Sequence, residues 1–249
     1  MKQNFPTCLN ETLVYEGGWS DHKADPGGAT MKGVTIAVFR KFKGRSVTKA
    51  ELRAISDTDL RAIYKSGYWD KVAGDLLPSG LDHVAFDGAV NSGPSRGAKW
   101  LQKGLGVPAD GKIGNDSLRA ARASDPVAVI RRACAARMGF LRGLRTWGTF
   151  GKGWSRRVAH VEAFSVKLAG QVSIAGQEAQ AARTKASRES KGAAVPAAGG
   201  AGGFSIEGMP EWGIWVIVAL AVVAAVMMLG RARHDKHRAE AYEKLALGA

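Results

Sequence analysis

Residues 212–229, WGIWVIVALAVVAAVMML, contain no charge, and this run divides the chain before any fold is considered. At 1.5 Å rise per residue, a helix of this length approaches the roughly 30 Å hydrocarbon core of a bilayer. A helix that is apolar on every side needs either lipid or a core that covers all its faces. The neighbouring segments offer no such cover: 171–209 is rich in Ala, Gly, Gln and Ser, and the end of the chain opens with RARHDKHR. The run therefore reads as one transmembrane helix at 210–230, with Trp212 and Trp215 suited to one interface and the basic tail 231–249 to the other.

Everything globular must then lie before the linker. Between residues 5 and 168, apolar stretches with helical period alternate with Gly, Pro and Asp punctuation, the pattern of one mainly α domain. The segment 171–209 reads as a flexible linker; its residues 176–203 would span about 30 Å as a coil and roughly 90 Å drawn straight. The start, MKQNFPTCLNETLVYEGG, lacks the basic, apolar and small-residue regions of a secretory signal. Cys8 and Cys134 do not make a disulfide framework and are expected as free thiols. The formal charge of +14 favours a polyanionic partner: nucleic acid, an anionic membrane face or an acidic wall polymer. No nucleic-acid-binding motif accompanies it, and no nucleic-acid partner is expected.

Within the folded part, residues 7–16 form a helix candidate, with Leu9, Leu13 and Glu16 at helical spacing and Gly17-Gly18 as a stop. This places Glu16 at a helix C-terminus, where the macrodipole is unfavourable for a carboxylate. The following stretch, WSDHKADPGGATMKGVT at 19–35, is polar and Gly-rich and suits a short hairpin or loop. Residues 49–64 are amphipathic, with a break near Ser56-Asp57, and 81–91 is a helix that sets His83, Asp87 and Asn91 on one stripe. Asp125-Pro126 starts a helix running to about 144, and a last helix spans about 154–168.

Glycoside cleavage needs a protonated carboxyl beside the leaving oxygen and usually a second carboxylate for water, nucleophile or charge stabilisation. Glu16 and Asp25 are candidates that a fold-back would bring to one groove, with Thr30 and Thr35 able to hold a water. By residue type alone the grouping is weak, since Asp25-Pro26-Gly27-Gly28 is also an ordinary turn.

The string EGGWSDHKADPGGATMKGVT, from Glu16 to Thr35, closely resembles the N-terminal signature of glycoside hydrolase family 108, bacterial and phage N-acetylmuramidases of lysozyme-like fold. The resemblance implies that Glu16 is the catalytic acid and that the segment holding Asp25 and Thr30 belongs to the active-site loop. The order of Glu, Asp and Thr is also similar to that of phage lysozymes of the T4 type, which makes Asp25 and Thr30 the water-handling pair. Trp19 stands where the family commonly has another aromatic. A second stretch, GYWDKVAGDLLPSGLDHVAFDGAVNSGPSRGAKWLQKGLGVPADGKIG, is similar to the peptidoglycan-binding region that follows the signature.

The expected organisation is therefore a catalytic region at 1–66, a helical peptidoglycan-binding region at 67–170 completing a lysozyme-like domain with a small hairpin lobe, then linker, transmembrane helix and tail. Trp19, Thr35, Tyr68, Trp69, Asp87 and Asn91 are the candidate substrate contacts, although Asp87 and Asn91 equally suit a buried polar network. Trp100 and Phe86 read as core. The resemblance implies cleavage of the β-1,4 bond between N-acetylmuramic acid and N-acetylglucosamine, with no metal or organic cofactor. The rival reading is a non-catalytic, membrane-anchored wall-binding protein. Arg231, Arg233, Lys236 and Arg238, opposed there only by Asp235, favour a cytoplasmic C-terminus in the inner membrane and a periplasmic head. A late C-terminal anchor that leaves the head in the cytoplasm until lysis is the alternative.

Overall fold

The computed structural model describes residues 4–22, 27–170, 184 and 232–245. Asp25, nearly all of the linker and the apolar run 212–229 lie outside the described residues. Among the described residues, no helix is long and apolar enough to cross a membrane.

Helix α1 (Phe5–Leu13) leads to a three-stranded antiparallel sheet, β1 (Trp19–Ser20), β2 (Thr30–Met31) and β3 (Val34–Thr35), in that spatial order. Strands β2 and β3 join through Lys32-Gly33, both with positive φ (46° and 75°), the backbone that a two-residue hairpin turn requires. Thr35 ends the sheet and caps α2 (Ile36–Lys43), its hydroxyl accepting from Val38 N at 3.3 Å.

The expected break in 49–64 is present. Helix α3 (Lys49–Arg53) opens with a Thr48/Glu51 capping box, and α4 (Asp57–Tyr64) is capped by Ser56. A π-turn (Lys65–Trp69) and two short 3-10 turns then lead to α5 (Leu81–Ser92). Four further helices follow: α6 (Pro94–Leu105), α7 (Asn115–Ala123), α8 (Pro126–Arg142) and α9 (Trp147–Leu168). Asp125 starts α8 as its composition demands, accepting from Val127 N and Ala128 N ahead of Pro126. Residues 232–245 form a last helix, α10.

Helix α5 is the axis of the domain. Its residues Leu81–Ala89 are buried on every face, and α1, α6, α8, α9 and the turns after α4 all touch it. Phe86, Trp69 and Phe5 meet edge to face, with centroids 5.3–5.9 Å apart. The core drawn around them is continuous from Phe5 to Val166, across the expected 66/67 boundary. Cys8 and Cys134 are buried free thiols within it, and burial pushes both up from the ordinary thiol range.

Three elements differ from the sequence reading. Helix α1 stops at Leu13, three residues before Glu16, because Tyr15 N and Glu16 N turn back to Thr12 O and Leu13 O instead of continuing the ladder. Glu16 is therefore placed by a turn and not by the helix end. Helix α9 begins seven residues before 154, since Trp147, Phe150 and Trp154 stack along its first turns with centroids 5.6–6.2 Å apart. The basic tail contains a helix because Tyr242, Ala239 and Ala232 bury one of its faces.

The α5–α6 crossing depends on glycine. A Cβ on Gly97 would lie 2.5 Å from Ala89 N and 2.6 Å from Ala85 O, both rigid backbone atoms. The substitution Gly97→Ala is expected to lower stability by about 1–3 kcal/mol despite alanine's better helix propensity, read as a lower denaturant midpoint at unchanged slope.

Candidate active site

The turn after α1 aims Glu16 into the angle between the hairpin and the helical body. Its carboxylate is partly covered, with 18% of the side chain exposed, and Oε1 forms an ion pair with Arg157 Nη2 of α9 at 2.8 Å. On the other side the hairpin turn closes over it. A Cβ built on Gly33 would sit 2.9 Å from Glu16 Oε2 and 2.4 Å from Tyr64 Oη, so only glycine suits both the positive φ and the space. Tyr64 holds the turn in place, its hydroxyl donating to Lys32 O at 2.8 Å. Burial and the nearby Glu16 carboxylate push the Tyr64 hydroxyl well above its ordinary range, so it stays a donor at physiological pH.

Beneath Glu16 lies a buried charge cluster. Asp87 on α5 is fully buried and accepts from Arg137 Nη1 of α8 at 2.6 Å and from Arg157 Nε and Nη2 at 2.9–3.1 Å. Burial opposes its charge, but the two guanidinium groups outweigh that and hold its carboxyl well below the ordinary carboxylate range. Arg157 thus has two anionic partners: its fork is hydrogen-bonded to Asp87 below, and its Nη2 forms an ion pair with the Glu16 carboxylate above. Arg137 Nη2 also donates to Asn91 Oδ1 at 3.1 Å, so two of the three groups on the His83–Asp87–Asn91 stripe join one network. His83 faces away, bonded through Nδ1 to Ser165 Oγ at 2.9 Å, and burial brings it down to about 4.

The remaining candidates separate by location. Thr30 and Thr35 are register partners on β2 and β3, half-buried and beside the turn over Glu16. The Thr30 hydroxyl donates to Gly28 O at 3.1 Å. Trp19 on β1 is half-buried, with the Arg53 guanidinium 5.6 Å from its ring. Tyr68 is half-buried, 5.5 Å from the Tyr64 ring, and burial followed by the Glu16 charge raises its hydroxyl. Trp69 turns inward instead: it is fully buried and its Nε1 donates to Asp75 at 2.9 Å. Trp69 and Asp87 therefore have no surface to offer a glycan, and their place is in the support beneath the site.

Arg157, Arg137, Tyr64 and Gly33 were not among the residues singled out from sequence. A signal existed for the two arginines. Each sits on an otherwise apolar helical stripe, Arg137 with Cys134 and Leu141, Arg157 with Val161 and Phe164, and a cation there needs a buried anion.

These features define a mainly helical domain with a half-buried carboxylate, Glu16, at the junction of hairpin and body. The glycosyl hydrolase 108 family model matches residues 9–93, from α1 to just past α5, and so takes in Glu16, the hairpin and Asp87. The solved structure of Brucella abortus SagA is similar at 44% identity and a TM-score of 0.61, covering 68% of this chain and 97% of that one. The comparison with curated protein sequences found no match. The chain belongs to glycosyl hydrolase family 108 and is a peptidoglycan hydrolase of the lysozyme-like kind.

Replacing Asp87 by Asn strands two buried guanidinium groups and is expected to lower stability by about 3–5 kcal/mol in denaturant unfolding at neutral pH. The folded-state pKa of Asp87 is depressed, so its contribution is present above the unfolded carboxylate value and fades as pH falls through the lower folded value. The gap between wild type and Asp87→Asn should therefore narrow on acidification below about pH 4.

Proposed function

We propose that this chain is an N-acetylmuramidase that cuts the β-1,4 bond between N-acetylmuramic acid and N-acetylglucosamine, with Glu16 as the acid. One observation carries the reading: the Glu16 carboxyl lies between the hairpin turn at Gly33 and the Arg157 guanidinium, yet its side chain keeps 18% of its surface exposed. Delivering a proton to a glycosidic oxygen requires a carboxyl held at a fixed angle, and the Asp87–Arg157 fork supplies that restraint. The leaving sugar's oxygen takes the proton as the C–O bond breaks, and the positive charge that develops on the other sugar is stabilised by a second group or captured by water. Asp25, in the segment between β1 and β2, is our candidate for that second group, with Thr30 of β2 as the candidate for holding water. Trp19, Thr35 and Tyr68 are our candidates for sugar contacts, each half-buried and so offering surface suited to sugar faces or hydroxyls.

The positive charge of the chain suits a wall polymer that carries peptide carboxylates. The 212–229 run supports a single membrane span, and the basic residues after it support a cytoplasmic C-terminus with the hydrolase head in the periplasm, where peptidoglycan lies. A phage-lysin role is consistent with the same parts.

The substitution Glu16→Gln keeps shape and removes the transferable proton. It should reduce release of label from purified sacculi by about 10²–10⁴-fold while leaving binding to them intact, and a variant that still cleared walls at the wild-type rate would rule out Glu16 as the acid. In intact spheroplasts, external protease should digest the head; protection of the head until lysis would reverse the proposed orientation.

A further inference from the structure

The tail helix α10 and the apolar run before it make incompatible demands. On the head, α10 docks against α8 and α9. Arg238 Nε and Nη2 donate to Glu162 Oε1 of α9 at 2.9 and 2.5 Å, and Tyr242 Oη donates to the same oxygen at 3.1 Å. Arg238 Nη1 reaches Asp235 at 3.2 Å. Tyr242 is fully buried, Ala232 and Ala239 are buried, and Ala241 and Leu245 lie against the core. Glu162 is only 2% exposed, a carboxylate on an apolar face of α9 that pairs with the Arg238 guanidinium of the tail.

With α10 docked, residues 170 and 232 belong to the same head, so a membrane span at 212–229 would have to begin and end on the same side. A single crossing is then impossible, because it would place α10 opposite the head. A double crossing is also impossible: it needs about 40 residues, and the uncharged run has 18. Only two residues, Gly230 and Arg231, separate Leu229 from α10, so an extended connection moves the end of the run at most about 11 Å from the docked helix.

We infer that the α10 contact with Glu162 is a latch, and that the chain has two mutually exclusive forms: docked with 212–229 not spanning, and membrane-spanning with α10 released. Release leaves Glu162 and Arg238 to water, which rehydrates both, while the apolar run gains lipid; the exchange therefore trades a small protein interface for a long hydrophobic insertion. Docking favours the form that exists before insertion, and insertion removes the tail from the head. The inference rests on the proposed membrane span of 212–229.

The test uses the full chain in cells, with cysteines replacing Lys152 of α9 and Lys236 of α10, exposed residues that line one cleft between the two helices. Cys8 and Cys134 are buried and do not compete. A permeant bis-maleimide is added, membranes are extracted with alkaline carbonate, and cross-linked monomer is resolved by gel mobility. Cross-linked monomer should be confined to the extractable fraction, its share in the carbonate-resistant fraction at least about ten-fold lower. Adding Arg238→Glu, which sets like charges against Glu162, should cut the cross-linked share and raise the resistant fraction. Equal cross-linked shares in both fractions, or no cross-link anywhere, would overturn the latch while leaving the span intact. A chain with no carbonate-resistant fraction would instead overturn the span and the latch with it.

Discussion

The buried carboxylate of Asp87 is the interaction on which the catalytic half of this protein depends. An isolated charge at the centre of α5 would be prohibitively costly, and the chain meets that cost with two guanidinium groups from separate helices. Those pairings draw α5, α8 and α9 together at one point. They also decide where Arg157 can be, and Arg157 decides where Glu16 points. An apolar replacement of the cluster could pack as well, but it would leave the acid without a fixed partner. The charge cluster thus converts the packing of the helical body into the geometry of the site.

The hairpin supplies the other half of that geometry. Two positive φ values at Lys32-Gly33 bring the backbone over the Glu16 carboxylate, and the Tyr64 hydroxyl pins the turn to α4. The acid lies where two independently folded features meet: a rigid helical body that orients it and a tight turn that encloses it. Trp69, Phe86 and Phe5 stabilise that body from beneath without reaching the site.

Much of the helical plan was legible because its signals are local. The Asp125 cap ahead of Pro126 and the break near Ser56-Asp57 depend on groups within a few residues of themselves, so their neighbours in sequence suffice to read them. The end of α1 was less legible, because the side chains of the turn that ends it, Tyr15 and Glu16, find their partners His160 and Arg157 on distant α9. Trp69 shows the same limit: an aromatic beside Tyr68 suits a sugar face or a core equally until the folded chain chooses a direction. The tail helix was missed because its apolar face is only four or five residues wide and finds its partner, Glu162, some 76 positions away.

By itself the sequence determined the class of chemistry, the helical character of the head and the presence of an apolar run long enough to span a bilayer, since each is carried by contiguous residues. Only the tertiary structure decided that Asp87 is support and not a sugar contact, that Arg157 aims Glu16 across 141 positions of chain, and that α10 lies on the head. The physical reason is the same in each case: a buried charge must be matched, and its match is chosen by folding from anywhere in the chain.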